Sequence, residues 1–341
     1  MKKNNSENNI LIPHEELQAK FAEVIKGRGF ENNDTKLLAT IFMQNSLEGV
    51  YSHGVNRFPK FIEFVDKGYI NLNGQLKKKA GAGSLEQWEG DLRAGILNAL
   101  DCTGRAMDLA STNGMGCVAL SNTNHWMRGG TYGWKAAKAG YLFIGWTNTL
   151  ANMPAWGAAN SKLGNNPLVM AVPYNDEAIV LDMAMSQFSY GALEKFDLNG
   201  ATLPVSGGFD KQGNMTEKPA DIMESRRIMP AGYWKGAGLS LLLDIFSTLL
   251  AGGLSTSEIS KKEAEYGVSQ IFIAIDMKKL SNFPIINETV RSIIEDYKTS
   301  LPAGAKNEIV YPGENVVKTR RRNSVEGIPI NKAVWKVIGE L

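Results

Sequence analysis

His53 and Arg57 lie four residues apart in Tyr51-Ser-His53-Gly-Val-Asn-Arg57, where a segment of helical spacing begins. That interval lets both side chains point into one cleft. An imidazole that titrates near neutrality can give a proton to a carbonyl oxygen while hydride arrives at carbon, and a guanidinium can hold the adjacent carboxylate through two parallel hydrogen bonds. The pair suits reduction of a 2-oxo acid. The same spacing also fits a helix-start histidine beside a solvated arginine, and an isolated H-x-x-x-R does not separate the two. Asp182 ends the apolar run Ile179-Val-Leu-Asp182, where a carboxylate calls for a partner. It could fix a histidine tautomer, or cap a helix beginning near Ser186. Ser52 adjoins His53, but sequence neighbours rarely form a nucleophile–base pair and the chain has no G-x-S-x-G elbow, so hydrolysis ranks low.

A second cluster, Asn124-His125-Trp126-Met-Arg128-Gly129-Gly130-Thr-Tyr-Gly-Trp134, stands between a strand pattern and a helix pattern. Gly129 and Gly130 would let backbone N–H groups approach a phosphate, Arg128 offers a fork of donors and Trp126 could stack on a planar ligand. A glycine-rich turn packed around aromatics fits equally well. The usual dinucleotide fingerprint is missing. Gly114-Met-Gly116-Cys-Val-Ala119 has a G-x-G-x-x-A spelling, but a helix precedes it and a strand follows, the reverse of the order that fold needs.

These residues sit in a chain of 341 residues with 37 basic and 35 acidic side chains, a formal charge of +2 and 43% hydrophobic residues. Dispersed charge of that balance gives no footprint for nucleic acid or an anionic membrane and points to a small-molecule partner. Cys102 and Cys117 are too few and too far apart for a disulfide framework or a zinc site, and three scattered histidines supply no metal ligand set. His14 reads as an exposed helix-start residue. The polar N-terminus lacks an apolar signal core, and prolines, asparagines and glycines interrupt the uncharged residues 139–159, so a cytoplasmic protein without a membrane span is expected.

The opening third reads as helical: His14–Gly27, a helix with Asn33 or Asp34 as cap, and residues 55–65 with Pro59 in the first turn. Residues 70–92 read as loops and short strands, followed by a helix over residues 92–110. Apolar runs near residues 117–121, 141–146, 168–172 and 178–183 suggest one buried sheet. Residues 198–219 are rich in turn signals. A buried helix is expected over residues 236–250, then a strand near 270–275, a helix over 288–297 and a terminal helix over 329–341.

Seven blocks carry a resemblance over nearly the whole chain. They are Glu48-Gly-Val-Tyr-Ser-His-Gly-Val-Asn-Arg-Phe-Pro59, Asn124-His-Trp-Met-Arg-Gly-Gly130, Trp146-Thr-Asn148, Gly164-Asn-Asn-Pro167, Leu181-Asp-Met-Ala-Met-Ser186, Gly232-Tyr-Trp-Lys-Gly236 and Pro312-Gly-Glu314. Together they resemble the malate/L-lactate dehydrogenase-like family of NAD(P)-dependent oxidoreductases. The resemblance implies a mixed α/β, non-Rossmann fold with a mostly antiparallel sheet surrounded by helices. It implies a tail over residues 1–10, a helical part over 11–112, a cofactor-binding sheet domain over 113–305, and a C-terminal helical segment over 306–341 that returns to the N-terminal part. It further implies a homodimer, NADH or NADPH as cofactor with NADH favoured, and a 2-oxo acid as substrate. A diketo sugar acid is the foremost candidate, with a malate- or lactate-type 2-oxo acid or a cyclic imino acid as the alternative. By motif match His53 would be the proton donor, Arg57 the carboxylate ligand and Asp182 the support of the histidine. The cofactor would meet His125, the strand residues Ala178, Ile179, Val180, Leu181, Asp182, Met183 and Ala184, the pair Trp234 and Lys235, and the turn Gly313, Glu314 and Asn315. Glu314 would accept ribose hydroxyls.

Overall fold

Helical apolar spacing at the N-terminus folds as expected in the computed structural model, which describes residues 8–304 and 308–341. After strand β1 (Asn9–Ile12), helix α1 (His14–Gly27) buries Leu17, Phe21, Val24 and Ile25 on one stripe. Helices α2 (Asn32–Leu47) and α3 (Phe58–Asp66) bury Phe42 and Phe58 against it, with ring centroids of Phe21, Phe42 and Phe58 between 4.2 and 6.0 Å apart. Pro59 lies in the first turn of α3, where its missing N–H costs no helical bond. Neither Asn33 nor Asp34 caps α2, which starts earlier with Glu31 at the N-cap; Asp34 pairs with Arg93 at 3.3 Å instead.

The chain continues through β2 (Lys77–Ala82), β3 (Leu85–Glu89), α4 (Gly95–Asn113), β4 (Met115–Thr123), α5 (Gly130–Lys138), β5 (Tyr141–Thr147), β6 (Met153–Pro154), β7 (Ser161–Leu163), β8 (Leu168–Tyr174) and β9 (Glu177–Met183). Then come α6 (Tyr190–Leu198), β10 (Gly208–Phe209), β11 (Met215–Thr216), α7 (Pro219–Ser225), α8 (Trp234–Ala251), α9 (Thr256–Ile259) and β12 (Val268–Asp276). The last elements are α10 (Ile286–Lys298), α11 (Glu314–Glu326), β13 (Ile328–Asn331) and α12 (Lys332–Gly339).

Seven strands form one sheet in the order β2-β3-β4-β12-β5-β8-β9. All neighbours pair antiparallel except β3 and β4, whose parallel pairing is reached through the crossover helix α4. The mixed α/β, mostly antiparallel architecture is therefore present. Helices α4 and α5 cover one face of the sheet and α8 lies on the other. The uncharged stretch 139–159 folds as β5 and the short β6, not as a span.

Three expectations need correction. The polar tail does not extend to residue 10, because Asn9 and Ile10 already pair with Asn331 and Ile330, joining β1 to β13 and so the two ends of the chain. Helix α8 is not a buried helix: Gly236, Ala237, Ser240, Leu243, Ser247 and Ala251 line its sheet side, while Leu242, Phe246 and Leu249 are exposed. It is the one described helix long and apolar enough to cross a membrane. Within the C-terminal helical segment that the resemblance implies, periodicity marks no helix before residue 329, yet α11 spans Glu314–Glu326, its charge-rich sequence carrying no apolar stripe.

Candidate active site

Four segments converge where β4 and β5 end and β12 begins. His53 closes a single helical turn, Tyr51–His53, that the body of α2 holds in place. Asn45 donates to the His53 carbonyl at 2.9 Å, and Ser46 Oγ accepts the Val55 N–H at 2.8 Å. Gly54 permits this approach, since a Cβ there would fall 2.3 Å from Ser46 Oγ. Four residues beyond His53, Arg57 is the N-cap of α3. His125 follows β4, on backbone so close to the start of α4 that a Cβ at Gly95 would lie 2.1 Å from the Asn124 carbonyl oxygen.

The two histidine rings stack with centroids 5.8 Å apart and planes inclined by 23°. His125 Nδ1 accepts the Met127 N–H at 2.9 Å, so in the neutral ring the proton sits on Nε2, 4.0 Å from Glu265 Oε1. His53 Nδ1 lies 3.0 Å from Ser52 Oγ. Burial first, and then the charges of Arg57 and Arg128, hold the His53 imidazole down at about 4. Burial, Arg57 and His53 hold His125 well below the ordinary imidazole value. Arg57 is half-buried, and its guanidinium makes no hydrogen bond or ion pair among the described residues. A guanidinium left unpaired beside two neutral imidazoles is arranged to receive an anion.

Asp182 does not support His53. Its Oδ2 accepts the Gly130 N–H at 2.8 Å, placing the carboxylate at the N-terminus of α5. The Gly129-Gly130 helix start thus meets an anion, but an internal one. Surrounding protein raises the Asp182 pKa, against the opposing pull of Arg128 and the Gly130 N–H. Trp126 offers no stacking surface to a ligand, being buried against Tyr132 and Phe272 at centroid distances of 5.5 and 5.9 Å. Arg128 is buried in an ion pair with Glu48.

A cleft of about 490 Å³ opens beside this cluster, lined by Val180, Leu181 and Asp182 of β9, by Pro312, Gly313 and Asn315, and by Arg128 and Val50 among others. Strand β9 is the sheet edge. Its Val180 N–H points away from β8 to the Pro312 carbonyl at 3.1 Å. Strand alternation therefore turns the backbone N–H and C=O of Asp182, two residues on, toward the cleft. Gly313, at φ +92°, caps α11, and a Cβ there would press on the Val180 nitrogen at 3.2 Å. A flat, polar-ended cofactor fits such an edge, which offers unpaired backbone groups and a helix start.

Other expected cofactor residues stand elsewhere. The Ala178 side chain is in the core, and Ile179, Met183 and Ala184 do not line the cleft. Trp234 and Lys235 are exposed at the start of α8, outside that cleft. Glu314 is not free for ribose hydroxyls: it binds Lys298, Lys318 at 3.2 Å and the Tyr311 N–H at 3.2 Å. Burial pushes its pKa up, but these partners outweigh it and keep the carboxyl below its ordinary range. Arg320 is held by Glu48 and Glu177. Asn148, Asn165 and Asn166, from two of the sequence blocks, form a polar network instead. Asn148 Nδ2 donates to Asp244 at 3.0 Å, Asn166 Nδ2 to the Ser240 carbonyl at 2.9 Å, and Asn165 Oδ1 accepts from Thr149 and Asn152 at 3.0 Å. Glu265 was missed altogether. Its side chain is 12% exposed, and Oε2 accepts the Leu150 N–H at 3.1 Å. Burial raises its pKa while Arg57 opposes. No apolar run or motif marks it in the sequence.

This chain belongs to the malate/L-lactate dehydrogenase family, whose sequence profile matches residues 12–339. It is an oxidoreductase of the alcohol–ketone type, and membership implies a nicotinamide cofactor. The chain is 44% identical, over 97% of its own length and all of the relative's, to 2,3-diketo-L-gulonate reductase of Escherichia coli. Among solved structures it resembles malate dehydrogenase from Pyrococcus horikoshii, with a TM-score of 0.89 at 28% identity over 99% of this chain and 96% of that one. It also resembles sulfolactate dehydrogenase from Methanocaldococcus jannaschii, with a TM-score of 0.87 at 27% identity over 97% and 96%.

Proposed function

We propose that this enzyme reduces the C2 ketone of 2,3-diketo-L-gulonate to 3-dehydro-L-gulonate, reversibly, with NADH favoured over NADPH. The observation that carries the reading is Arg57, a cation without a protein partner beside the stacked His53 and His125. Arg57 binds the substrate carboxylate, which brings the neighbouring ketone to the imidazoles. His53 delivers a proton to the ketone oxygen as it becomes an alcohol. Binding a carboxylate at Arg57 also cancels one of the charges that keep His53 neutral, and so favours its protonated, donating form. The neutral His125, its tautomer set by Met127, presents Nε2–H to the same region.

The nicotinamide, when bound, supplies the hydride. The exposed edge of β9 at Leu181 and Asp182 and the turn at Gly313 and Asn315 would hold it. The preference for NADH is supported by Arg320, whose guanidinium is already neutralised by Glu48 and Glu177 and so offers no grip for a 2′-phosphate. The exposed apolar face of α8 supports a homodimer, since Leu242, Phe246 and Leu249 would be covered by a second copy. We place this dimer in the cytoplasm. Purified enzyme with NADH should oxidise the cofactor faster with 2,3-diketo-L-gulonate than with pyruvate, oxaloacetate or a cyclic imino acid. Faster turnover of one of the others would reassign the substrate, and tight NADH binding without turnover of any would remove the catalytic reading.

A further inference from the structure

Two charged side chains flank His125: Arg57, a cation whose guanidinium is unpaired among the described residues, and Glu265, an enclosed carboxylate. The loop bearing Glu265 is pinned at the end of β4, where the Gly267 N–H donates to the Thr123 carbonyl at 2.9 Å. Within it, Oε2 is committed to the Leu150 N–H, whereas Oε1 has no hydrogen bond among the described residues. Oε1 faces the Nε2–H of His125 across 4.0 Å, a donor and an acceptor too far apart to satisfy one another. A hydroxyl group entering there could donate to Glu265. A carboxylate could not.

We propose that Glu265 is the specificity-determining residue of the substrate site, accepting hydrogen bonds from hydroxyl groups along the chain of a monocarboxylic 2-oxo acid and repelling a second carboxylate. This rests on the reading of His53 and Arg57 as the reducing site. A dicarboxylate would need a second cation, and the neighbouring ones are taken. Arg128 is paired with Glu48, and Lys262, in the Glu265 loop, folds back over the Tyr266 ring at 4.2 Å and donates to the Tyr266 carbonyl at 3.2 Å. The distal end of a dicarboxylate would therefore meet an acceptor-only group of like charge, while a polyhydroxylated chain presents donors to it.

The test is Glu265→Gln, assayed for kcat/KM on pyruvate, oxaloacetate and 2,3-diketo-L-gulonate with NADH. Ratios among substrates on one preparation do not depend on how much of it is folded. Relative to pyruvate, the variant should gain at least tenfold on oxaloacetate and lose severalfold on 2,3-diketo-L-gulonate. Equal changes on all three would overturn the proposal, because Glu265 would then act only through His125 or the loop. Failure of the wild-type enzyme to reduce any of the three would instead refute the His53/Arg57 reading, and the proposal with it.

Discussion

Replacing Arg57 with Met removes one charge while keeping an apolar stem of similar length. In the folded chain the guanidinium has no hydrogen-bonded protein partner, so the substitution strands no ion pair and its cost should fall on the substrate. Two parallel charge-assisted hydrogen bonds to a carboxylate, at about 1.5–3 kcal/mol each, set a loss of roughly 3–6 kcal/mol, or about a 10²- to 10⁴-fold fall in kcat/KM. An amide analogue of the substrate isolates that contribution. Wild type should prefer the acid over the amide by about two orders of magnitude, and Arg57→Met should discriminate little between them. A second effect follows from the same charge. Arg57 is the leading charge that depresses His53, after burial itself. A unit charge several ångströms away is worth about 2 kcal/mol at an effective dielectric near 20, so the variant's His53 should titrate about one to two pH units higher. With three histidines in the sequence, each imidazole can be followed by NMR and assigned by substitution. A fall in kcat/KM below about fivefold, equal losses on acid and amide, or an unmoved His53 titration would each refute the reasoning.

Other consequences are independent of the substrate. His53 titrates near 6.5 when unfolded and at about 4 when folded, so between these values the unfolded chain binds more protons. The stability this contributes is present above pH 6.5 and is lost as pH falls toward 4, by roughly 3 kcal/mol in total. Urea melts at pH 7.5 and 4.5 should show that slope, and His53→Gln should lessen it, leaving the part of the same sign that His125 contributes. Asp182→Ala removes the acceptor at the start of α5 and should cost about 1–2 kcal/mol in the same assay; Asp182→Asn, which keeps an acceptor, should lose less. Gly313→Ala places a Cβ on Val180 at a left-handed φ and should weaken NADH affinity and lower stability by about 1 kcal/mol or more, both readable from a thermal melt with and without NADH. An unchanged melting profile would separate that turn from the cleft.

Where the sequence was legible, periodicity and residue type made it so. The stripes of α1 and α3 and the strand-length apolar runs were visible because burial dictates them, and the parallel β3–β4 exception required only the crossover α4. Helix α11 was legible only through the resemblance and not from periodicity, because charge pairs and a glycine cap stabilise it, not an apolar face. Helix α8 misled in the opposite direction, since its hydropathy marks a helix without saying whether the sheet covers it. In the site, His53, Arg57 and His125 could be singled out as scarce or oddly placed polar residues. Their mutual stacking, the turning of Asp182 toward α5 and the placement of Glu265 are tertiary facts. Contacts such as Glu265 with Leu150, 115 residues apart, leave no trace in local spacing.

Loss of the His53 imidazole should separate proton donation from cofactor binding. NADH binding, by fluorescence titration, and single-turnover NADH oxidation on mixing with 2,3-diketo-L-gulonate should be measured side by side for wild type and His53→Ala. NADH affinity of the variant should stay within about threefold of wild type, while its oxidation slows by about 10²- to 10⁴-fold. Near-normal oxidation by the variant would contradict His53 as the proton donor.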